Sequence, residues 1–484
     1  MGIKRWVAIK DNTITNAFES NLVTRGTGSN MGLADSLEVF SIFGQASSAS
    51  VELTRLLVQF PVTLEDSSTL SIASARASGD IPASGSVSFY LRLFNVAHDQ
   101  TTPRDFTLVA QPVSQSWQEG YGLDMENYSD QTYNGTGSNW INASAGTPWT
   151  TAGGDYLSSP TYQQVFDVGT GDLSVDITEM VENWLTGAAG GEYTNNGVGV
   201  HLTSSQENGN RSYYTKKFSA RDSEYFFKRP IIEARWDSTR KDQRGNFFVS
   251  SSARSAADNI NTIYFYNYYR NQLVDLPTIG TGAIYVRNYI SASTGSEILA
   301  APNNPITGGW VATGIYSASF ALDTTEEVVY DRWFNSDESV CYYTGSYKPK
   351  SLTASPTFQT AEYISAMTNL QCEYYNEDVY DFRLYTRLKN WNPTIYTVAI
   401  AGIQKDILDN IYYSVYRTVD DLQIVPYGTG SENHTRLSYD VSGSYFTFDM
   451  SMLEVGFEYG IRLLFSLGGK YIEDENIYKF KIIE

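Results

Sequence analysis

Two cysteines in 484 residues, Cys341 and Cys372, are too few and too far apart for the disulfide framework of a small secreted scaffold, and the expectation is a pair of buried thiols rather than a bridge. Histidine is as scarce. His98, His201 and His434 stand in unlike contexts, with no Ser-His-Asp order, no HExxH and no Cys/His ligand spacing, so the familiar nucleophilic and zinc chemistries have no foothold. Charge is thin at 18% of residues and short of the positive sign, 34 Lys and Arg against 54 Asp and Glu, a formal net charge of -20. Such a surface repels nucleic-acid phosphates and anionic lipid, so neither is an expected partner. No apolar run reaches the roughly 18 residues of a membrane span, and membrane insertion is not expected. The start, MGIKRWVAIKDNTI, is basic but carries no apolar stretch of signal-peptide kind. The expectation is a chain made and kept in a cytoplasm, with the sequons at Asn134 and Asn142 arising by chance in Asn/Ser-rich loops.

Aromatic residues are plentiful: 14% of the chain, 36 of them Tyr. Aromatics with little charge suit pleated, half-buried surfaces, so the expected class is all-β. At 54.0 kDa the chain exceeds the roughly 250–300 residues at which single cores stop growing, so two to four domains are expected. Short strand-like runs fill the first half: LEVFSIF, LTRLLVQF, SVSFYLRLF, FTLVAQPV, GVGVHLT and PIIEARW. In SVSFYLRLF, Val87, Phe89, Leu91 and Leu93 share one face and Ser88, Tyr90 and Arg92 the other, as a strand with one dry side requires. One helix is expected among them: Asp176 as cap, Glu179 three later, a stripe of Met180, Val181, Trp184 and Leu185, and Gly187 as stop.

The polar stretch DSTRKDQRGNF, about 237 to 247, lacks apolar periodicity and reads as a linker. NTIYFYNYY, AIYVRNYI, GIYSASFAL, VVYDRWF and VCYYTGSY follow as a second strand set. After the break SLTASPTFQ comes a third: YDFRLYTRL, TIYTVAIAG, IYYSVYRTV, YFTFDM, YGIRLLFSL and IYKFKIIE. The expected domains are 1–236, 247–350 and 358–484. In the third, Leu453, Gly456 and Tyr459 of LEVGFEY fall as in the tyrosine corner of immunoglobulin-like and fibronectin-like sandwiches, with Val455 where Pro is frequent. GIYSASF is a looser echo in the second.

The first domain carries an ordered set of phrases: KDNTI, SNMG followed by SLEVF, RLLVQF, SFYLRLF, SWQEG, VDITEMVENWLTG and NNGVGVHL. Over about residues 8 to 235 this order resembles the DNRLRE family of carbohydrate-binding-module-like β-sandwich domains, most specifically in the helix followed by the N-G strand. The resemblance implies an N-terminal jelly-roll sandwich with one short helix, ahead of two immunoglobulin- or fibronectin-like sandwiches. The sequence departs from that family between Tyr121 and Tyr162, where a long Asn/Gly/Ser/Trp insertion replaces a shorter loop. That insertion, and the tail phrase IVPYGTGSENHTRLSYDVSGSYF, are similar to virion structural proteins of large, marine tailed phages.

The insertion region concentrates Trp117, Tyr121, Tyr128, Tyr133, Trp140, Trp149 and Tyr156. Such rings can roof their own core, anchor a protein interface or stack on sugars. Asp124, Glu126, Asp130 and Asp155 could gather around a structural calcium; no other cofactor is expected. Residues 211 to 244 hold ten Lys/Arg against five Asp/Glu. They read as a solvated strand face or as a docking patch of Lys216, Lys217, Lys228, Arg229 and Arg235 for an acidic subunit. A glycosidase needs two carboxylates about 5–10 Å apart across a groove, and nothing in the sequence selects such a pair. The expected function is therefore a non-enzymatic component of a tailed-phage virion, at the neck, tail, baseplate or a fibre or whisker, assembled in the host cytoplasm. Its expected partners are other virion proteins in a homo- or hetero-oligomer; a carbohydrate-binding adhesin for surface glycans is the alternative.

Overall fold

The computed structural model describes residues 2–484 apart from 65, 68–69, 124–126, 131–134, 188–192, 293–294, 352–361, 392–394 and 396–404. The protein is all-β, 43% strand and 8% helix, arranged as tandem β-sandwiches. Its contacts divide into two compact units, 2–237 and 238–484. The break SLTASPTFQ and most of the TIYTVAIAG strand lie outside the described residues.

In the N-terminal unit the elements are β1 (Ile3–Val7), β2 (Lys10–Thr15), β3 (Ser36–Phe43), β4 (Val51–Gln59), α1 (Ile72–Ser78), β5 (Ser88–Leu93), β6 (Arg104–Pro112), β7 (Asn142–Ser144), β8 (Thr147–Pro148), β9 (Tyr162–Val168), β10 (Leu173–Asp176), α2 (Thr178–Thr186), β11 (Val198–Leu202), α3 (Ser204–Glu207), β12 (Tyr213–Ser219) and β13 (Ile231–Arg235). Among the described residues one sheet runs β1-β13-β5-β10. The larger runs β12-β3-β4-β11-β6-β9, with β2 on β4. Between them lies the main core. The alternation in β5 sends Phe89, Leu91 and Leu93 inward, where they meet Leu37, Val39, Leu56, Val58 and Val200 from the opposite sheet.

Helix α2 closes part of this core with Met180, Val181 and Trp184, and ends at Gly187 in the left-handed region (φ 57°). Its start differs from expectation. Ile177 occupies the cap position without a side-chain bond, and Asp176 instead accepts from the Thr178 N–H (2.9 Å) and hydroxyl (2.6 Å). One helix was expected, yet α1 and α3 are present as well. Ser71 caps α1 through the Ser74 N–H, Gly79 ends it at φ 82°, and Thr203 with Gln206 forms a capping box on α3.

The second unit holds two strand sets. In the first, strand Ile306–Ala312 bonds to Ile284–Tyr289 through its first half and to Ile315–Leu322 through its second, so one continuous sheet wraps the core of Phe265, Tyr316, Phe320 and Trp333. In the other, a sheet with Val379–Leu388 at its centre faces one centred on Glu458–Leu467. There Tyr459 is fully buried, its hydroxyl donating to the Glu454 carbonyl (2.8 Å) and accepting from the Glu454 N–H (2.9 Å), with Gly456 at φ 91°. This is tyrosine-corner geometry.

The polar stretch read as a linker is instead built into this unit. Arg244 pairs with Asp331, both buried, and donates to the Tyr264 carbonyl (2.9 Å). Asp242 and Arg240 exchange backbone bonds with Tyr439, and Phe247 is fully buried. Charged residues look solvated in sequence; here Arg244 is buried because its ion-pair partner, Asp331, reaches it from 87 residues away.

Candidate functional site

The aromatic insertion folds into a second, smaller core on the outer face of the larger sheet. Leu57 alternates with the inward Leu56 and Val58, so it points outward, beside Ile14 of β2. Trp117, Trp140, Ala143 and Trp149 close over them. Trp117 Nε1 donates to the Asn196 carbonyl (2.7 Å) and Trp149 Nε1 to the Asn139 carbonyl (2.8 Å). The Arg55 guanidinium, bonded to Glu207 at 2.6 and 3.0 Å, lies over the Trp140 ring (5.3 Å) and the Tyr156 ring (5.7 Å). Burial pushes the Tyr156 hydroxyl up to about 12, and it donates to the Gly153 carbonyl (2.9 Å).

Asparagines of the quoted phrases pin the insertion down. Asn12 Nδ2 donates to Ser138 O (2.9 Å) and Oγ (2.8 Å). Asn30 of SNMG donates to the carbonyls of Glu119 (2.6 Å) and Ser138 (2.8 Å) and accepts from Gly122 N–H (2.9 Å). A Cβ on Gly122 would lie 1.8 Å from the Asn30 carbonyl oxygen, so this crossing admits only glycine. Of the three readings open to these rings, Trp117, Trp140, Trp149 and Tyr156 take the first: they roof their own unit's core and are not the candidate interface or glycan platform. Tyr121 is exposed, Tyr128 half-buried, and Tyr133 lies outside the described residues.

The docking patch does not assemble. A bulge between Tyr213 and Lys216 shifts the phase of β12, setting Lys216 opposite Val39 and turning it inward at 1% exposure. Arg235 stands on β13 of the other sheet, where Arg5, Arg92 and Arg235 surround the buried Glu233. Burial pushes that carboxyl up, but the three guanidinium groups outweigh it and hold it well below the usual range. Arg229 donates to the Ser223 carbonyl (3.0 Å), Lys228 lies over Tyr225 (5.6 Å), and Lys217 pairs across the ladder with Glu38.

The calcium ligands do not converge among the described residues. Asp130 accepts from Leu123 N–H and Asp155 from Thr150 and Thr151 N–H, in separate turns. Asp124 and Glu126 lie outside those residues, and no group of three or more metal-binding side chains occurs within them. Cys341 and Cys372 are both free and exposed, not buried.

Two features that sequence reading missed carry more chemistry. A cavity of about 480 Å³ opens among Phe18, Glu38, Phe40, Glu52, Tyr128 and Tyr214. Glu38 and Glu52 are each 2% exposed. Burial raises both carboxyls, opposed at Glu38 by Lys217 and the hydroxyls of Thr215 and Tyr128, and at Glu52 by the Phe18 N–H (2.8 Å) and Arg25. Glu52 Oε1 has no hydrogen-bond partner among the described residues. A buried carboxylate oxygen in that state favours a ligand that brings a donor.

The second feature lies in the 238–484 unit. Asp275 accepts from the Trp310 indole (2.9 Å) and from Gly314 N–H (2.6 Å), and Asn267 N–H donates to the Gly314 carbonyl (2.8 Å). These bonds join two hairpin ends that expose Tyr268 and Tyr269 (62% each), Val274, Trp310 (40%) and Val311, with Arg270 over the Tyr269 ring. Its sequence signals were the aromatic run NYYRN and the Gly-Gly-Trp of the strand Ile306–Ala312.

No protein-family model matches the chain, and no curated protein matches it. Among solved structures it is similar to the Yersinia pseudotuberculosis adhesin InvE, at 9% identity and a TM-score of 0.15 over 46% of this chain and 54% of that one. It is also similar to DIP-gamma IG1+IG2, at 10% identity and a TM-score of 0.13 over 47% of this chain and 90% of that one. The match thus spans about half the adhesin's length, and likeness at this level carries no functional argument.

Proposed function

We propose that the chain is a non-enzymatic structural component of a tailed-phage virion, a connector, whisker or fibre-like part that works through protein–protein interfaces. The observation that carries this reading is the hairpin-end cluster of Tyr268, Tyr269, Arg270 and Trp310, exposed yet held by Asp275 and backbone bonds. Trp, Tyr and Arg dominate interface hot spots, and rings fixed before binding lose little entropy on docking. The resemblance of the insertion and tail to virion proteins agrees with it. The test is incorporation: Tyr269→Ala with Trp310→Ala should leave the chain folded and remove it from purified particles. Normal incorporation of the double variant would refute this role for the cluster.

The Glu38–Glu52 cavity favours a second reading, a carbohydrate-binding adhesin. Its volume suits a small ligand, carboxylates accept from sugar hydroxyls, and aromatic rings pack on sugar C–H faces. A glycan array on the purified chain separates the two readings. Saccharide binding abolished by Glu52→Gln supports the adhesin, and no binding leaves the assembly role alone.

A further inference from the structure

We propose that Lys216 and Asn95 join in an intramolecular isopeptide bond that ties the two sheets of the N-terminal unit together. Lys216 lies on β12 of the larger sheet. Asn95 follows β5 of the smaller one, and its backbone bridges to Phe218 of β12. The Lys216 Nζ stands 2.5 Å from Asn95 Oδ1, 2.8 Å from the Gly169 carbonyl and 2.7 Å from the Gly171 carbonyl. The side chain is 1% exposed, with the Phe218 and Phe166 rings 4.6 and 5.7 Å from Nζ.

A neutral primary amine has two hydrogens and one lone pair. As an ammonium, Nζ donates to Asn95 Oδ1 and to the Gly169 and Gly171 carbonyls. Once the proton facing Oδ1 is lost, the two remaining hydrogens stay on the glycine carbonyls and the lone pair lies on the side of the Asn95 carboxamide, whose carbon carries that oxygen. Burial lowers the Lys216 ammonium to about 8, against the opposing charge of Asp172, so a free-amine fraction exists near neutral pH. The Lys216 amine is buried and Asn95 is held against it by the bridge to β12, and holding reactants in place is the condition under which an intramolecular reaction gains most.

The step balances without oxidant or cofactor. The Nζ lone pair adds to Asn95 Cγ, and the C=O pair moves onto Oδ1. When that pair returns, the Cγ–Nδ2 bond breaks. One Nζ proton passes to the departing nitrogen, which leaves as ammonia, and an Nζ–Cγ amide remains. Asp172 is the acid–base group beside the pair: its Oδ1 accepts the Asn95 backbone N–H at 2.7 Å, and its charge acts on Lys216. It is assigned the proton relay.

Intact mass spectrometry of the purified full chain tests this. The expected mass lies below the sequence mass by one ammonia, and a proteolytic digest should hold a branched peptide joining the segments of Asn95 and Lys216. Lys216→Arg and Asn95→Ala should each restore the mass of their own sequence. Asp172→Ala should slow the ammonia loss in freshly made protein. The full sequence mass after prolonged incubation at mildly alkaline pH would overturn the proposal and leave Lys216 a static ammonium among three acceptors. Loss of ammonia without the branched peptide, as in succinimide formation at Asn95, would overturn it equally.

Discussion

Replacing Trp149 by Ala in the full chain should destabilise the N-terminal unit, because that indole is a wall of the second core and not a partner-facing surface. It is 4% exposed and packs with Ile14, Leu57, Trp117 and Trp140. Truncating a buried Trp to Ala costs about 3–5 kcal/mol. For a unit of 150–250 residues each kcal/mol moves the midpoint about 2–4 °C, so the expected fall is about 6–20 °C. Trp149→Phe divides the effect: it keeps most of the ring but strands the Asn139 carbonyl, which the indole reaches at 2.8 Å. Leaving that acceptor unpaired costs about 1–3 kcal/mol. Scanning calorimetry of wild type and both variants reads the shifts, and the 238–484 unit should melt unchanged. A midpoint fall under about 2 °C for Trp149→Ala would refute the second core and return the insertion to a loose flap.

Acid should weaken the same unit through Glu233. Its carboxyl is held below its ordinary value by Arg5, Arg92 and Arg235, so the stability it supplies is full above about pH 4.5 and is lost as pH falls toward its depressed folded value. Glu233→Gln should remove that acid slope in pH-dependent urea unfolding. Asp11 acts in the opposite sense: burial pushes its carboxyl from 3.8 up to about 7, so stability should fall as pH rises through that window, and Asp11→Asn should flatten the fall. In the 238–484 unit, Tyr459→Phe removes both bonds to Glu454 and should cost about 1–3 kcal/mol, read from the second calorimetric transition.

Local pattern carried the sequence reading where local pattern decides the structure. The alternation from Val87 to Leu93, the stripe from Met180 to Trp184 and the Leu453–Tyr459 corner depend on neighbours a few residues apart, and each takes the expected form. What escaped depends on distant partners. Arg244 looked solvated because Asp331, which permits its burial, is 87 residues away. Lys216 looked like a surface cation because the bulge that turns it inward leaves no mark in YYTKKF. The insertion's tryptophans could not be assigned between core, interface and sugar platform because the apolar floor beneath them, Ile14 and Leu57, comes from strands whose other face fills the main core. The cavity carboxylates Glu38 and Glu52 sit on two strands read only for their apolar residues.

Cross-linking mass spectrometry on purified virions tests the proposed role most directly. The chain is expected in the particle, with cross-links from the hairpin ends around 268–274 and 310–314 to another virion protein. Particles without the chain, or links from those hairpins only to this chain's own unit, would contradict it.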